Sequence, residues 1–411
     1  MIRSTVAHID LAALQANFRA IQQYLSSDPR TKTPGTIAVV KANAYGHGAE
    51  RVALALEQAG ATMLACADIE EGVVLRRAGV SVPILVFGAL SVSDLDGLFE
   101  YSLTPTISTP SAARAVQASA IRRRTTIGFH LKIDTGMNRL GFRHDNLRRT
   151  LPEVLASPNL TLEAIYTHFA TADDFSQPLF NDQRVRFEES LRVIDQVVQA
   201  GSALRGATRV KVLRHAANTA ALLRDARVWY DVVRPGLLLY GIVPPPLAST
   251  LPLTPVMSLT SRVVAVKDLR PGEGVGYGWQ HRALAPTTIA VIPAGYADGL
   301  DTRLSGRGHV LIRGRRVPVI GAVSMDMLTV DVTGLDITPG DEVVILGRQG
   351  DESWQQIDAR EMAAAIGTVP WEVVCRIGAR IERQYAVATG RGPQGSPGLM
   401  PKRPCGQRPK A

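Results

Sequence analysis

The sequence predicts an α/β fold, a TIM-like (β/α)8 barrel followed by a smaller β-rich domain, and three observations predict it. Short apolar runs alternate with helical stretches eight times within about 240 residues. Parallel neighbours need a crossover connection, so this alternation is what a parallel barrel requires. From about residue 245 the pattern changes to closely spaced strands separated by turn signals. An open doubly wound sheet has the same alternation and stays open as an alternative.

Asp10 is a suitable N-cap, and Leu11, Leu14, Phe18 and Ile21 follow at helical spacing. The strand-like runs are TIAVV (36–40), MLAC (63–66), PILVFG (83–88), LTPTIS (103–108), IGFHLKI (127–133), LEAIYTH (162–168), VKVLRH (210–215) and DVVRP (231–235). Helical segments such as AERVALALEQAG lie between them. PPPLAST then reads as a linker. Runs such as SRVVAV, TTIAVI, GHVLIRG, LTVDV and DEVVIL, broken by RPGEG, SGRG and TPGDE, make the second domain. One helix, IDAREMAAAIG, precedes an expected final strand over EVVCRIGARIERQY. The units are therefore a barrel over 1–244, a β domain over 245–385 and a tail over 386–411.

The chain has 411 residues and is 45% hydrophobic, enough for large cores. No apolar block marks a secretory signal or membrane span, and three separated cysteines offer no disulfide or metal cluster, so a cytoplasmic protein is expected. The net charge of +9 is no strong sign of nucleic-acid binding. Five of its cations, Arg391, Lys402, Arg403, Arg408 and Lys410, sit in the Gly/Pro-rich tail, which reads as a disordered basic extension.

In a barrel the reacting groups close the strands. Lys41 directly follows the first run and reads either as a snorkelling strand-end cation or as a reactive amine. Lys132 lies inside the fifth run, where a buried ammonium either pairs with Asp134 or is modified. Arg139 follows it. His168 closes the sixth run and Arg234 the eighth. GEGVGYGW has nucleotide-loop glycines but no following helix, which rejects a dinucleotide site.

KANAYGHG, LKIDTGMNRLGF, THFATAD, HAANTA, VRPGLLLYG, GEGVGYGW, IPAGYADGL and GAVSMDMLTVDV together resemble, in order, the motifs of alanine racemases, from about Thr5 to Tyr385. The resemblance implies pyridoxal 5′-phosphate (PLP) held by Lys41, with Gly46 and Gly48 permitting a tight turn. It implies that Tyr45, Asn218, Thr219, Gly236 and Leu237 anchor the cofactor phosphate. Arg139, oriented by a carbamylated Lys132, and the backbone of Met325 would bind the substrate carboxylate. Tyr296, near the substrate entrance, and Asp326, beside Met325, would be supporting residues.

Arg234 would face the pyridine nitrogen with His168 hydrogen-bonded behind it. A guanidinium does not readily release a proton, so the ring would be a weaker electron sink, suited to simple proton removal and return. The resemblance further implies two bases on opposite faces, Tyr277 and Lys41, acting on alanine, with Tyr277 and Met325 coming from the partner in a head-to-tail homodimer. One departure stands out: TVPWEV puts Trp371 where the family commonly has a phosphate-touching tyrosine.

Three other readings compete. A barrel-only PLP carrier would lack the second domain, a PLP decarboxylase would place an acid where Arg234 stands, and a broad-specificity periplasmic racemase would carry an export signal. The last is the nearest competitor, because pocket volume is not legible in sequence.

Overall fold

The structure is a computed structural model, described for residues 4–27, 32–90, 94–203, 211–350 and 354–386. The basic tail falls, from residue 387 on, outside the described residues.

The first strand, β1 (Val6–Asp10), departs from the expectation that residues 1–244 form one barrel unit. It pairs antiparallel with a strand at Met257–Arg262 and parallel with one at Glu382–Ala386, both in the second domain. Its alternation buries Ala7 and Ile9 in that sheet. Asp10 then caps helix α1 (Leu11–Leu25), its Oδ1 accepting from Ala13 N at 2.9 Å. Leu14, Phe18, Ile21 and Leu25 are fully buried, as their helical spacing requires.

The barrel strands are β2 (Gly35–Val39), β3 (Met63–Cys66), β4 (Ile84–Val86), β5 (Thr104–Ile107) and β6 (Ile127–Asp134). After a two-residue strand β7 (Phe142–Arg143) come β8 (Leu160–Tyr166), β9 (Leu213–Asn218) and β10 (Val232–Arg234). Hydrogen bonding runs in the order β5, β4, β3, β2, β10, β9, β8, β6, and β6 pairs back to β5. The sheet is closed, which excludes the doubly wound alternative.

Alternate residues divide between two cores. Ile37, Ala65, Leu85 and Val232 pack inside the barrel, while Ala38, Leu64 and Val86 belong to the larger core outside. The seventh run was expected at 210–215, but β9 lies three residues further on. Ala216 and Ala217 are fully buried there, and such small residues produce no apolar run in sequence.

In the second domain, strands at Ala265–Leu269, Thr287–Ile292, Leu328–Asp331, Arg315–Ile320, His309–Ile312 and Glu342–Gln349 lead across to Met257–Arg262. The final strand is shorter than expected. Residues Pro370–Cys375 form a helix with Pro370 in its first turn and Val373 and Val374 buried, and only Glu382–Ala386 are extended. No helix among the described residues is long and apolar enough to cross a membrane.

Candidate active site

A cavity of about 460 Å³ opens at the carboxyl ends of the barrel strands, with Lys41, Lys132, Arg139, His168 and Arg234 in its wall. Lys41 follows β2 and begins an unusual turn. Ala42, Asn43, Ala44 and Tyr45 all hold φ between 52° and 54°, a left-handed conformation that costs roughly 1–2 kcal/mol for each L residue. Gly46 (φ 83°) and Gly48 (φ 94°) complete it. The glycines were legible in sequence, but four non-glycine residues in this conformation were not. The Glu71 carboxylate accepts from Ala42 N at 2.6 Å and Ala67 N at 2.8 Å, which ties the turn to the end of β3.

Arg234, 3% exposed, is satisfied by neutral acceptors. Its Nη1 donates to His215 Nδ1 at 2.7 Å, and its Nη2 to the carbonyls of Thr167 and Ala216 at 2.8 Å. His168 does stand beside Arg234, as expected, but His215 is its closer imidazole partner. His168 Nδ1 is 3.4 Å from Nη2, while His215, on β9, holds the close contact. Burial lowers the Arg234 pKa to about 10, still charged at neutral pH. Burial first, then Arg234, holds His168 and His215 well below the usual imidazole range.

Lys132 does not pair with Asp134. The Asp134 Oδ1 instead accepts from Gly136 N and Asn138 N, both at 3.0 Å. The Lys132 Nζ lies 5.7 Å from the centroid of the Tyr166 ring, and burial, then Arg139, lowers its pKa to about 8. Lys41 is also lowered, first by burial and then by Arg139. Among the described residues, no carboxylate oxygen lies within 4 Å of Lys41, Lys132, Arg139 or Arg234. Four cations without a counter-charge at one cavity call for an anionic occupant.

Tyr45, Thr219, Gly236, Leu237 and Trp371 gather on another side of the same wall. Gly236 N donates to Thr219 Oγ1 at 3.0 Å, and a Cβ on Gly236 would stand 2.7 Å from Tyr45 Oη. The glycine thus lets a hydroxyl and a backbone N–H converge. Asn218 lines the cavity too, but its Oδ1 is committed to capping the next helix at Ala221 N, 3.0 Å away. This cationic and hydroxyl-bearing wall fits PLP, whose phosphate and phenolic oxygen are anionic and whose aldehyde needs an amine such as Lys41.

Unlike Trp371, the second-domain residues Tyr277, Tyr296 and Met325 are not at this cavity. Tyr277 is 76% exposed, Met325 51% and Tyr296 45%. Tyr296, Met325 and Asp326 nevertheless share a built surface. Tyr296 N donates to Ser324 O and Ala297 N to Met325 O, both at 3.0 Å, and Arg380 joins Asp298 (2.7 Å) to Asp326 (2.8 Å).

Sequence reasoning missed Tyr166, His215 and His130. The Tyr166 ring stacks on His215 (4.7 Å, 9°), and His215 Nε2 reaches His130 Nδ1 at 3.1 Å. Counting back by two from His168 and Lys132 reaches Tyr166 and His130 on the same strand faces. His215 closes the seventh run as drawn, VKVLRH, so that position was the signal that could have found it.

A closed parallel barrel with a lysine at the end of β2, an arginine in place of an acid opposite, and an appended β domain defines an isomerase of the PLP-dependent, barrel-type racemase class. The family models described as alanine racemase, N-terminal domain, and alanine racemase, C-terminal domain, match residues 9–244 and 256–385. The chain belongs to the alanine racemase family.

It is 37% identical over 386 residues to an alanine racemase of Halothermothrix orenii, spanning 93% of this chain and 97% of that one. The alanine racemase of Streptomyces lavendulae, a D-cycloserine producer, superposes with a TM-score of 0.86 at 32% identity, covering 94% of this chain and 98% of that one. That of Bartonella henselae, with covalently bound pyridoxal phosphate, gives 0.79 at 27% identity, covering 93% and 99%.

Proposed function

We propose that this protein interconverts L- and D-alanine in the cytoplasm by a two-base mechanism, with PLP held on Lys41, supplying D-alanine for peptidoglycan. The observation that carries the reading is the placement of Lys41, Arg139 and Arg234 around one cavity with, among the described residues, no carboxylate against any of them. The covalently bound pyridoxal phosphate of the Bartonella henselae relative supports the cofactor.

Bound PLP supplies the electron sink that loosens the substrate α-proton. Arg234 would stand toward the pyridine nitrogen and, because a guanidinium keeps its protons, would not supply one to it. Tyr45, Thr219, Gly236, Leu237 and Trp371 would hold the phosphate, with Asn218 framing the helix beside it. Arg139 receives the substrate carboxylate, as guanidinium geometry suits.

Lys41 moves a proton on one face of the α-carbon. Burial, then Arg139, lowers its pKa, which favours the neutral amine that a base requires. Tyr277 moves the proton on the other face, and each base contributes about 10²–10⁴ in rate.

Tyr277 and Met325 lie on the exposed face of the second domain, so they serve the cavity of a second copy in a homodimer with shared sites. Met325 N makes no hydrogen bond among the described residues and is available to a carboxylate, with Tyr296 and Asp326 framing it. Trp279, Met327 and Leu284 expose further apolar surface on the same domain.

The test is chiral chromatography of the PLP-loaded protein incubated separately with L-alanine, L-serine, L-lysine and L-arginine. Conversion of alanine alone to a near-equal mixture is expected. Equal rates on all four would replace this reading with a broad-specificity racemase, and no conversion would reject racemisation.

A further inference from the structure

The left-handed turn after Lys41 persists only if its surroundings over-determine it. Part of the clamp is local: Asn43 Oδ1 accepts from Ala49 N at 2.8 Å, and His47 Nδ1 lies 3.0 and 2.9 Å from the carbonyls of Ala44 and Tyr45. Glu71 holds Ala42 N from the barrel side. The remaining wall comes from the second domain. A Cβ on Gly46 would stand 2.2 Å from the Val374 carbonyl oxygen, and one on Gly48 1.9 Å from Tyr385 Oη. Residues 374–385 are thus pressed against the turn.

Arg383 bolts that wall in place. Its Nε donates to Gly46 O at 3.0 Å, the carbonyl directly after the left-handed residues. Its Nη1 donates to Gly378 O and Ile381 O, both at 2.9 Å, and its Nη2 to Ile377 O at 2.7 Å. One half-buried guanidinium therefore joins the barrel turn to the second domain through four carbonyls, with no carboxylate within 4 Å among the described residues. A planar fork with five donors makes this possible, and an ammonium does not reproduce it.

We propose that Arg383 is a positioning residue for the cofactor lysine: by pinning Gly46 O to the second domain it holds the turn that aims Lys41 and Tyr45 into the cavity. Lys41 lies at the start of this turn and Tyr45 at its end, so a relaxed turn moves both groups together. The second domain would then organise the site of its own chain, besides offering Tyr277 to another copy. The proposal rests on the reading of Lys41 as the PLP lysine.

The test compares full-length Arg383→Gln and Arg383→Lys with the parent. Hydrogen exchange is read at the amides of Ala44 and Gly46, which bond Val40 O and Ala42 O across the turn. PLP dissociation constants and kcat and KM for alanine are measured alongside. In Arg383→Gln the turn amides are expected to exchange about tenfold faster, with β2 unchanged, and PLP affinity and kcat to fall about tenfold, the scale of one charge-assisted hydrogen bond. KM is expected to move less than twofold. Arg383→Lys should fall between, since one donor can still reach Gly46 O.

Unchanged turn exchange and PLP affinity would overturn the proposal. So would equal acceleration throughout the second-domain strands, which marks a merely structural role. If the glutamine variant does not fold, the same readings on the lysine variant decide. Borohydride reduction followed by peptide mapping locates PLP in the parent. A label elsewhere than Lys41 would sink the cofactor reading, while turn exchange in cofactor-free protein would still test the pinning.

Discussion

Arg234 Nη1 sits 2.7 Å from His215 Nδ1, and this contact fixes the proton positions of the chain behind it. Arginine only donates, so His215 Nδ1 accepts and its proton is on Nε2. That Nε2–H donates to His130 Nδ1 at 3.1 Å, leaving the His130 proton on Nε2. Both imidazoles are neutral, in keeping with the depression of the His130 pKa to about 3 by burial and Arg234. The guanidinium is thus oriented by neutral dipoles and keeps its full charge for whatever stands before it.

The first prediction removes the acceptor. In His215→Leu, Arg234 Nη1 is left buried without a partner, and stability is expected to fall by about 1–3 kcal/mol. His215→Gln restores an acceptor and should recover part of it. Urea unfolding of the cofactor-free proteins measures both. Equal midpoints for leucine and parent would show that Arg234 finds another partner.

The second prediction concerns acid. His47 is 1% exposed and held at about 4 by burial, and His130 is 2% exposed at about 3. Both folded values lie below the unfolded value near 6.5. Below that pH the unfolded chain binds more protons, so stability is present at neutral pH and drains as pH falls. Each imidazole costs about 1.4 kcal/mol per pH unit until its folded pKa is reached. Urea midpoints of cofactor-free protein at pH 7, 6 and 5 should decline progressively. A flat series would mean that these rings are already charged in the fold.

Much of this site was legible because its residues close strands, where β/α periodicity makes position readable. Lys41 and Arg234 were found that way, and Lys132 stood out as a charge inside an apolar run. What escaped depends on contacts between strands. The partner of Arg234 is set by the register of β9 against β10, where Arg234 lies opposite Asn218 after a bulge, and no local pattern reports that register. β1 escaped because five residues pairing with strands some 250 and 375 positions away leave no local trace beyond a brief alternation. Left-handed residues such as Ala42 and Ala44 escaped because alanine prefers the right-handed helix and the strain is imposed by Glu71 and Arg383.

The third prediction follows from Lys132. With its pKa near 8, set by burial and then Arg139, an appreciable share of the amine is neutral in mildly alkaline solution. A neutral amine adds to carbon dioxide, forming an N–C bond and releasing one proton to solvent, and the carbamate would give Arg139 the anion it lacks here. Equilibration with 13C-bicarbonate at pH 8 should produce a carbamate carbonyl resonance in parent protein that is absent from Lys132→Arg. A spectrum without that resonance would leave Lys132 as an unmodified cation.

The fourth prediction separates two geometries for Tyr277. At 76% exposure on the second domain it is not in the wall of its own chain's cavity, whereas Lys41 is. If each site draws Lys41 from one copy and Tyr277 from another, Lys41→Ala and Tyr277→Phe proteins are each inactive for different reasons. A mixed dimer then holds one cavity with both defects and one with neither. Random exchange makes half the dimers mixed, each with one intact site, so about a quarter of parental activity per total site is expected after mixing. Mass spectrometry of isotopically distinct chains verifies the exchange. Activity that stays at the level of the separate variants despite verified exchange would require Tyr277 to reach the cavity of its own chain, and the shared-site reading would be abandoned.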